Sequence, residues 1–407
     1  MKTTESMTQP TDGFLRWKAL DQWLAVHGDI WRPAPFASPE PAWAARYPEM
    51  ADFLMALDDE AVARFESNSM ALVNELARWL PDLAVRDDLV DLPSLGGEPH
   101  PLPETRAVDM PGRKREQAGA FASAIRPLKY PVLDWCCGKG HLARTLAPFA
   151  RSALEGYEWN PELVADGNAL AEHYGDPVRL HTQDVLDKDL IWPVRRHGVA
   201  LHACGDLHRR LIVGAAQRRW PRVSLSPCCF HLTASTDYRP LSLQAKEWSS
   251  NAGLSRQDIR LAVRETVTAP ARVRRQTGLN QVWRLGFDGL QRQVRGVNDY
   301  LPVPPHPPAL NHQGFEAFCR WAAAKKQIEL PADLDFSRWL AFGEQRQRQV
   351  RRHELLRHLF RRPLEVWMVL DYVLYLEEQG YDVRLGTFCD RKLTPRNLLL
   401  DAIVASD

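Results

Sequence analysis

The sequence predicts an α/β protein built on a doubly wound parallel sheet, and two observations carry that expectation. Between residues 131 and 226, short apolar segments alternate with helix-like ones, the pattern of repeated strand–helix units. The first of these segments, Pro131 to Trp135, gives way at once to Cys136-Cys137-Gly138-Lys139-Gly140 before a helix that begins near Leu142. In a parallel sheet such a glycine turn is where a nucleotide-like ligand lies, because the backbone can approach closely and helix N–H groups face it. An ordinary strand–turn–helix connection has the same local form, so the turn alone does not decide.

Taken in order, the chain opens with amphipathic helices over Phe14 to His27 and Ala51 to Leu80, where apolar residues recur at three- and four-residue spacing. Residues 1–105 read as a helical N-terminal region, punctuated by Pro81 and Pro101-Leu102-Pro103. The core is expected over 106–300. A basic turn, Pro111 to Lys114, leads to a helix ending at Ile125 and then to the opening strand. Further strands are expected at Ala153 to Glu158, Val178 to Leu180, Gly198 to Ala203 and Arg222 to Ser226, with helices at Pro161 to His173 and Leu207 to Arg219. Right-handed crossovers would bring every carboxyl end of these strands to one edge. A helix is expected around Leu241 to Asn251, and Pro302 to Pro308 reads as a rigid linker. A helical segment follows over 301–380, including Leu364 to Glu378. The last stretch, 381–407, reads as two strands, Tyr381 to Phe388 and Asn397 to Val404, that complete the core sheet as an antiparallel pair. The helical segment is then an insertion. Asp258 to Val267 competes for the sixth strand.

Hydrophobic residues are 45% and charged residues 25% of the 407 positions, which suits a globular chain. No stretch is apolar for long enough to span a bilayer, and Met1 to Gly13 lacks the regions of a signal peptide. These features point to a cytoplasmic protein with no membrane partner. Seven cysteines, with two adjacent pairs at Cys136-Cys137 and Cys228-Cys229, fit reduced thiols better than a secreted disulfide framework. A net charge of +1 does not itself call for a polyanion, but its distribution is uneven. Residues 40–104 are acidic. Arg256 to Arg295 and Arg346 to Arg362 are rich in arginine, which fits either a nucleic-acid surface or solvated helix faces.

Several landmarks fall at the expected carboxyl edge. Glu158 ends the second strand about twenty residues after the turn, where an acid accepts from both ribose hydroxyls. Asp184 follows the third strand and can accept from an adenine amine. The order of the set indicates an adenosine-type ligand. A dinucleotide would want a third glycine, but Ala143 stands in its place. Asp134 would repel a pyrophosphate and suits a ligand with an ammonium group, such as the amino-acid end of S-adenosylmethionine.

Asp134-x-Cys136-x-Gly138-Lys139-Gly140-His141-Leu142, His202-Ala203-Cys204-Gly205-Asp206 and Cys228-Cys229-Phe230-His231 together resemble the signatures of a methyltransferase-like family. Its marks are Gly-Lys-Gly-His-Leu and Cys-Cys-x-His. Tyr375 to Tyr381 and Thr394 to Asn397 resemble its C-terminal signature, and the first and third segments are more distantly similar to tRNA ribose 2′-O-methyltransferases. The resemblance covers about 105–235 and 365–405. It implies a seven-strand, Rossmann-like methyltransferase sheet and S-adenosylmethionine as cofactor. It places cofactor contacts at Asp134, Gly138, Gly140, Glu158 and Asp184, together with Cys136, which stands where the first glycine of the turn is usual.

His202 and Asp206 after the fourth strand, and Cys228 and His231 after the fifth, are the candidate catalytic residues. His231 or Asp206 can accept a proton from a hydroxyl or amine. Cys228 can act as a nucleophile if a histidine lowers its pKa. A zinc site on Cys204, Cys228, Cys229 and His231 is the competing reading, but adjacent cysteines lack the usual two-residue spacer, so no metal is assigned. The expected activity is methyl transfer to RNA, with tRNA as one candidate. A protein methyltransferase and a noncatalytic adenosine-ligand or RNA-binding module of the same fold are the alternatives.

Overall fold

The structure, a computed structural model, describes residues 11–251, 253–264 and 271–405. Seven strands form one sheet: β1 (Val132–Trp135), β2 (Leu154–Glu158), β3 (Val178–Thr182), β4 (His197–Cys204), β5 (Arg222–Cys228), β6 (Tyr381–Thr387) and β7 (Leu398–Val404). Their order is β3-β2-β1-β4-β5-β7-β6. The first five are parallel, and β7 runs antiparallel to both β5 and β6. The expected C-terminal strand pair and its closure of the core sheet are therefore present. Because the strand order reverses between β1 and β4, the switch point of the sheet lies at the carboxyl end of β1.

Burial explains why these segments become strands. All four residues of β1 and all seven of β5 are buried, as expected for parallel strands covered on both faces. The helices Gly112–Ala124 and His141–Leu146 contribute Phe121, Leu142 and Leu146 to a core that also holds Val199, Phe388 and Leu399. A second device joins β5, β6 and β7 through a buried carboxylate. Asp401 accepts two hydrogen bonds from Arg222, at 2.8 and 3.0 Å, one from Ser224 at 2.7 Å, and one from Arg384.

Two helix expectations change in detail. Helix formation begins at Gly112, so the basic residues Arg113 and Lys114 lie in a first helical turn. The Ala51 to Leu80 stretch divides into Pro48–Ala56, Asp59–Ser67 and Ser69–Leu76, because Asp58 and Asn68 each cap a new helix. The competing strand at Asp258 to Val267 is not one. Ser255 and Asp258 form a capping box that starts the helix Arg256–Arg260, and a 3₁₀ turn, Leu261–Val263, continues it. Residues 265–267 of that expectation lie outside the described residues.

The chain divides into two compact units interleaved in sequence. The first combines the N-terminal stretch ending at Ala25 with Asp87–Arg264 and the segment from Arg362 onward. The second combines Val26–Arg86 with Glu265–Arg361. Part of the helical N-terminus thus packs with the sheet. Asp21, on the helix Asp12–Val26, accepts from Trp367 at 3.0 Å, Asn251 at 3.0 Å and the Ser250 N–H at 2.6 Å.

Within the second unit, the helices Ala271–Arg295, Gly314–Lys326 and Phe336–His358 enclose Phe287, Phe318 and Trp339. The arginine-rich run expected as a nucleic-acid surface is largely engaged inside this unit. Arg346 donates to the Pro35 carbonyl at 3.0 Å, Arg352 to the Leu57 carbonyl at 2.9 Å and Arg357 to the Trp31 carbonyl at 2.7 Å. Arg351 grips Glu66 with two hydrogen bonds, at 2.9 and 2.8 Å.

Candidate active site

The turn after β1 is a run of left-handed residues, with Cys136 at φ 59°, Gly138 at φ 56° and Gly140 at φ 69°. That backbone is sterically open to glycine and strained for a residue with a Cβ. Cys136 therefore occupies the conformation that the usual first glycine would take freely. At Gly140 the space is also closed, since a Cβ would lie 2.9 Å from Leu180. At Gly138 it is open, with nothing within 4 Å of a Cβ. Among the described residues this leaves room in front of the turn for a ligand to reach the backbone.

Two carboxylates hold the turn in this shape. Asp134, 2% exposed, accepts from the Ala143 N–H at 3.2 Å and so satisfies a donor in the first turn of the helix His141–Leu146. Burial pushes its carboxyl up to about 7, opposed by the Ala143 N–H and reinforced by the charge of Glu158. Glu158 is buried at the end of β2, where one oxygen accepts from the Gly138 N–H at 3.0 Å and the other from the Asn160 N–H at 3.1 Å. Each oxygen keeps further lone-pair capacity, as a hydroxyl donor requires. Asp184, past the end of β3, is exposed and accepts from the Leu186 N–H at 2.9 Å.

Cys136 connects this half of the site to the other. Burial pushes its thiol up, and the charges of Glu158, Asp134, Cys204 and Asp184 all act in the same direction. The acids around the turn and Cys204 at the end of β4 thus share one neighbourhood.

On that second side the loops after β4 and β5 are laced together. Gly205 has φ 55° and ψ −120°, and a Cβ there would lie 1.9 Å from the Leu232 carbonyl oxygen, so only glycine fits. Its N–H donates to the Cys228 carbonyl at 3.1 Å, and the Asp206 N–H donates to the Leu232 carbonyl at 3.0 Å. Asp206 returns a contact by accepting from the Ala234 N–H at 2.8 Å. The backbone of His202 lies in β4, and its side chain falls outside the described set. Desolvation lowers the pKa of His231, with Cys229 opposing the shift and Arg260 adding to it. Its Nδ1 is shielded from solvent and has no hydrogen-bond partner among the described residues.

The three thiols differ in their electrostatic surroundings. Cys228 is 3% exposed, and hydrogen bonding with Cys204 and Cys229, then burial, drives its pKa up. Cys229 is the thiol that is lowered, because Cys204 and Cys228 donate to its sulfur and His231 and Arg396 add positive potential. No sequence signal separated the two neighbours.

Two other residues escaped the sequence reading. Trp159, next to Glu158, is 72% exposed, unusual for so large an apolar ring and suited to stacking on a flat ligand. His208 is fully buried and spans the Ala203 carbonyl at 2.9 Å and the Tyr372 hydroxyl at 3.2 Å. A cavity of about 230 Å³ beside it is lined by Asp206, Arg209, Phe230, Thr233, Tyr238 and Tyr372.

Residues 115–236 match a family described as a methyltransferase domain, and every candidate site residue named above from Asp134 to His231 lies within that segment. No curated protein matches the chain. Among solved structures, the 23S rRNA methyltransferase ErmE is similar at 24% identity over 27% of this chain and 45% of that one, with a TM-score of 0.23. The YcgJ protein from Bacillus subtilis is similar at 13% identity over 70% of this chain and 97% of that one, with a TM-score of 0.25. The chain thus spans less than half the length of ErmE. Among the described residues no helix is long and apolar enough to cross a membrane.

Proposed function

We propose that the protein is an S-adenosylmethionine-dependent methyltransferase and that its acceptor is RNA. The observation that carries this reading is Glu158 at the carboxyl end of β2, holding the Gly138 and Asn160 amides directly beside the open face of the glycine turn. The residues present fit the donor. Glu158 offers acceptor capacity for ribose hydroxyls, Asp184 an exposed carboxylate for an adenine amine, and the Gly138 backbone a surface that no side chain blocks. When bound, the donor supplies an electrophilic methyl group.

The chain's own part is then to place the acceptor atom and, where needed, to take its proton. Asp206 and His231, which follow β4 and β5, are the proton acceptors of this reading. The similarity of the Gly-Lys-Gly-His-Leu and Cys-Cys segments to tRNA ribose methyltransferases supports RNA as acceptor. So do the side chains of Arg113, Lys114, Arg272 and Arg275, all of which are exposed.

Isothermal titration with S-adenosylmethionine and S-adenosylhomocysteine tests the donor. Micromolar binding, weakened at least tenfold by Glu158→Gln, is expected, and no affinity in the parent would overturn the reading. Transfer of a labelled methyl group to total RNA rather than protein tests the acceptor. Label in protein alone would move the substrate class, and donor binding without any transfer would leave a noncatalytic binding module.

A further inference from the structure

We propose that Cys204, Cys228, Cys229 and His231 form a zinc site that ties the carboxyl ends of β4 and β5 together. The three sulfur atoms lie within 4.8 Å of one another, and the Cys204–Cys228 pair is at 3.6 Å. Tetrahedral coordination with Zn–S bonds of about 2.3 Å places sulfurs about 3.8 Å apart, so the cluster needs only a small adjustment around an ion.

The spacing rule that argues against zinc in the sequence does not apply to this arrangement. It describes ligands presented by one tight turn. Here Cys204 pairs with Cys228 across two parallel strands, just past a one-residue register shift after Leu201, and the third thiol comes from the residue after β5. Cys229 reaches the cluster because its backbone is left-handed, at φ 48°. Such a conformation in a residue with a Cβ is strained, and strain of this kind is retained where a side chain must be aimed.

The three thiols form the group within 4.8 Å and His231 lies outside it, so its ring has to swing toward the sulfurs to supply the fourth donor. It lies two residues beyond Cys229 and close enough to interact with it electrostatically, and its Nδ1 is shielded with no partner among the described residues. Three thiolates and one zinc ion leave a net charge of −1, which Arg396 near Cys229 and Arg260 near His231 offset. A soft, borderline cation suits this donor set, and a hard cation such as magnesium does not. With zinc bound, His231 ceases to be a proton acceptor and Asp206 remains. The inference does not depend on methyl transfer, and its failure would leave the donor-binding test untouched.

The test uses the full chain, reduced and stripped of metal, and titrates it with Co²⁺ and Zn²⁺. One equivalent of Co²⁺ should bind and give sulfur-to-cobalt charge transfer with the visible bands of a tetrahedral ion, all displaced by zinc. Cys229→Ser and His231→Ala should each weaken binding at least tenfold, while Cys389→Ser, outside the cluster, should not. X-ray absorption on the zinc-loaded parent chain reads the ligands without any variant, and three sulfurs with one nitrogen are expected. A shell of oxygen and nitrogen alone would overturn the site. So would the absence of stoichiometric binding, or a Cys204–Cys228 disulfide forming in place of metal uptake under zinc-replete, mildly reducing conditions.

Discussion

Asp134 shows how one residue can serve structure and titration together. Its carboxyl ionises near 7 when folded, against about 3.9 for an ordinary unfolded aspartate. Between these values the folded chain keeps a proton that the unfolded chain has released. Stability therefore falls as pH rises from about 4 to about 7. Asp134→Asn keeps an oxygen for the Ala143 N–H and removes the titration, so its urea midpoint should vary less with pH across that window. An unchanged slope would mean that the carboxyl titrates elsewhere. Cys136 allows a second experiment on the same turn. Alanine normally stabilises a chain relative to glycine by restricting the unfolded state, but at φ 59° the order should invert. Cys136→Gly is expected to be more stable than Cys136→Ala by about 1 kcal/mol in chemical denaturation, the penalty for a Cβ in the left-handed region. Equal stabilities would show that the turn relaxes once the cysteine is gone.

At the scale of elements, the sheet is held at its antiparallel side by a contact that no periodicity announces. Asp401 sits in the apolar run Leu398 to Val404, fully buried, with Arg222 from β5 and Arg384 from β6 on its oxygens. Removing one member of a buried, hydrogen-bonded pair leaves an uncompensated charge, so Asp401→Ala should destabilise the fold by about 3–5 kcal/mol in equilibrium unfolding. A loss under 1 kcal/mol would show that Arg222 finds another partner. The strands themselves were legible, since β1 is apolar apart from Asp134, β5 alternates Val223 and Leu225 with serines, and each ends in turn residues. The stretch Asp258 to Val267 misled because Leu261-Ala262-Val263 is an apolar run whatever its backbone does, and the deciding signal was the Ser255–Asp258 capping box. In the site, Glu158 and the glycine turn were readable from spacing, because one βαβ unit fixes their separation. The thiol cluster was not. It depends on cross-strand register and on the φ of Cys229, and neither is written in the order of the residues.

Over the whole molecule, the interleaving of the two units changes what its charge distribution means. A run from Arg346 to Arg362 looks like a polyanion surface in sequence, yet Arg346, Arg351, Arg352 and Arg357 each donate to groups of the second unit. An arginine holding a carbonyl inside its own unit would release no counterion to the proposed RNA substrate, so it would add nothing to the salt dependence of such binding. Arg352→Ala is therefore expected to lower the melting temperature through the lost hydrogen bonds to Leu57, while the slope of log affinity against log salt stays as in the parent. Arg113 and Lys114 are exposed in the first turn of the helix that precedes β1. Replacing both by alanine should lower that slope by about 1.5 without changing the melting temperature, since each neutralised phosphate contributes about 0.7–0.9. Filter binding across a salt series, with melting curves on the same preparations, separates the two. A slope that falls with Arg352→Ala and holds with the Arg113 and Lys114 replacements would relocate the RNA surface to the second unit.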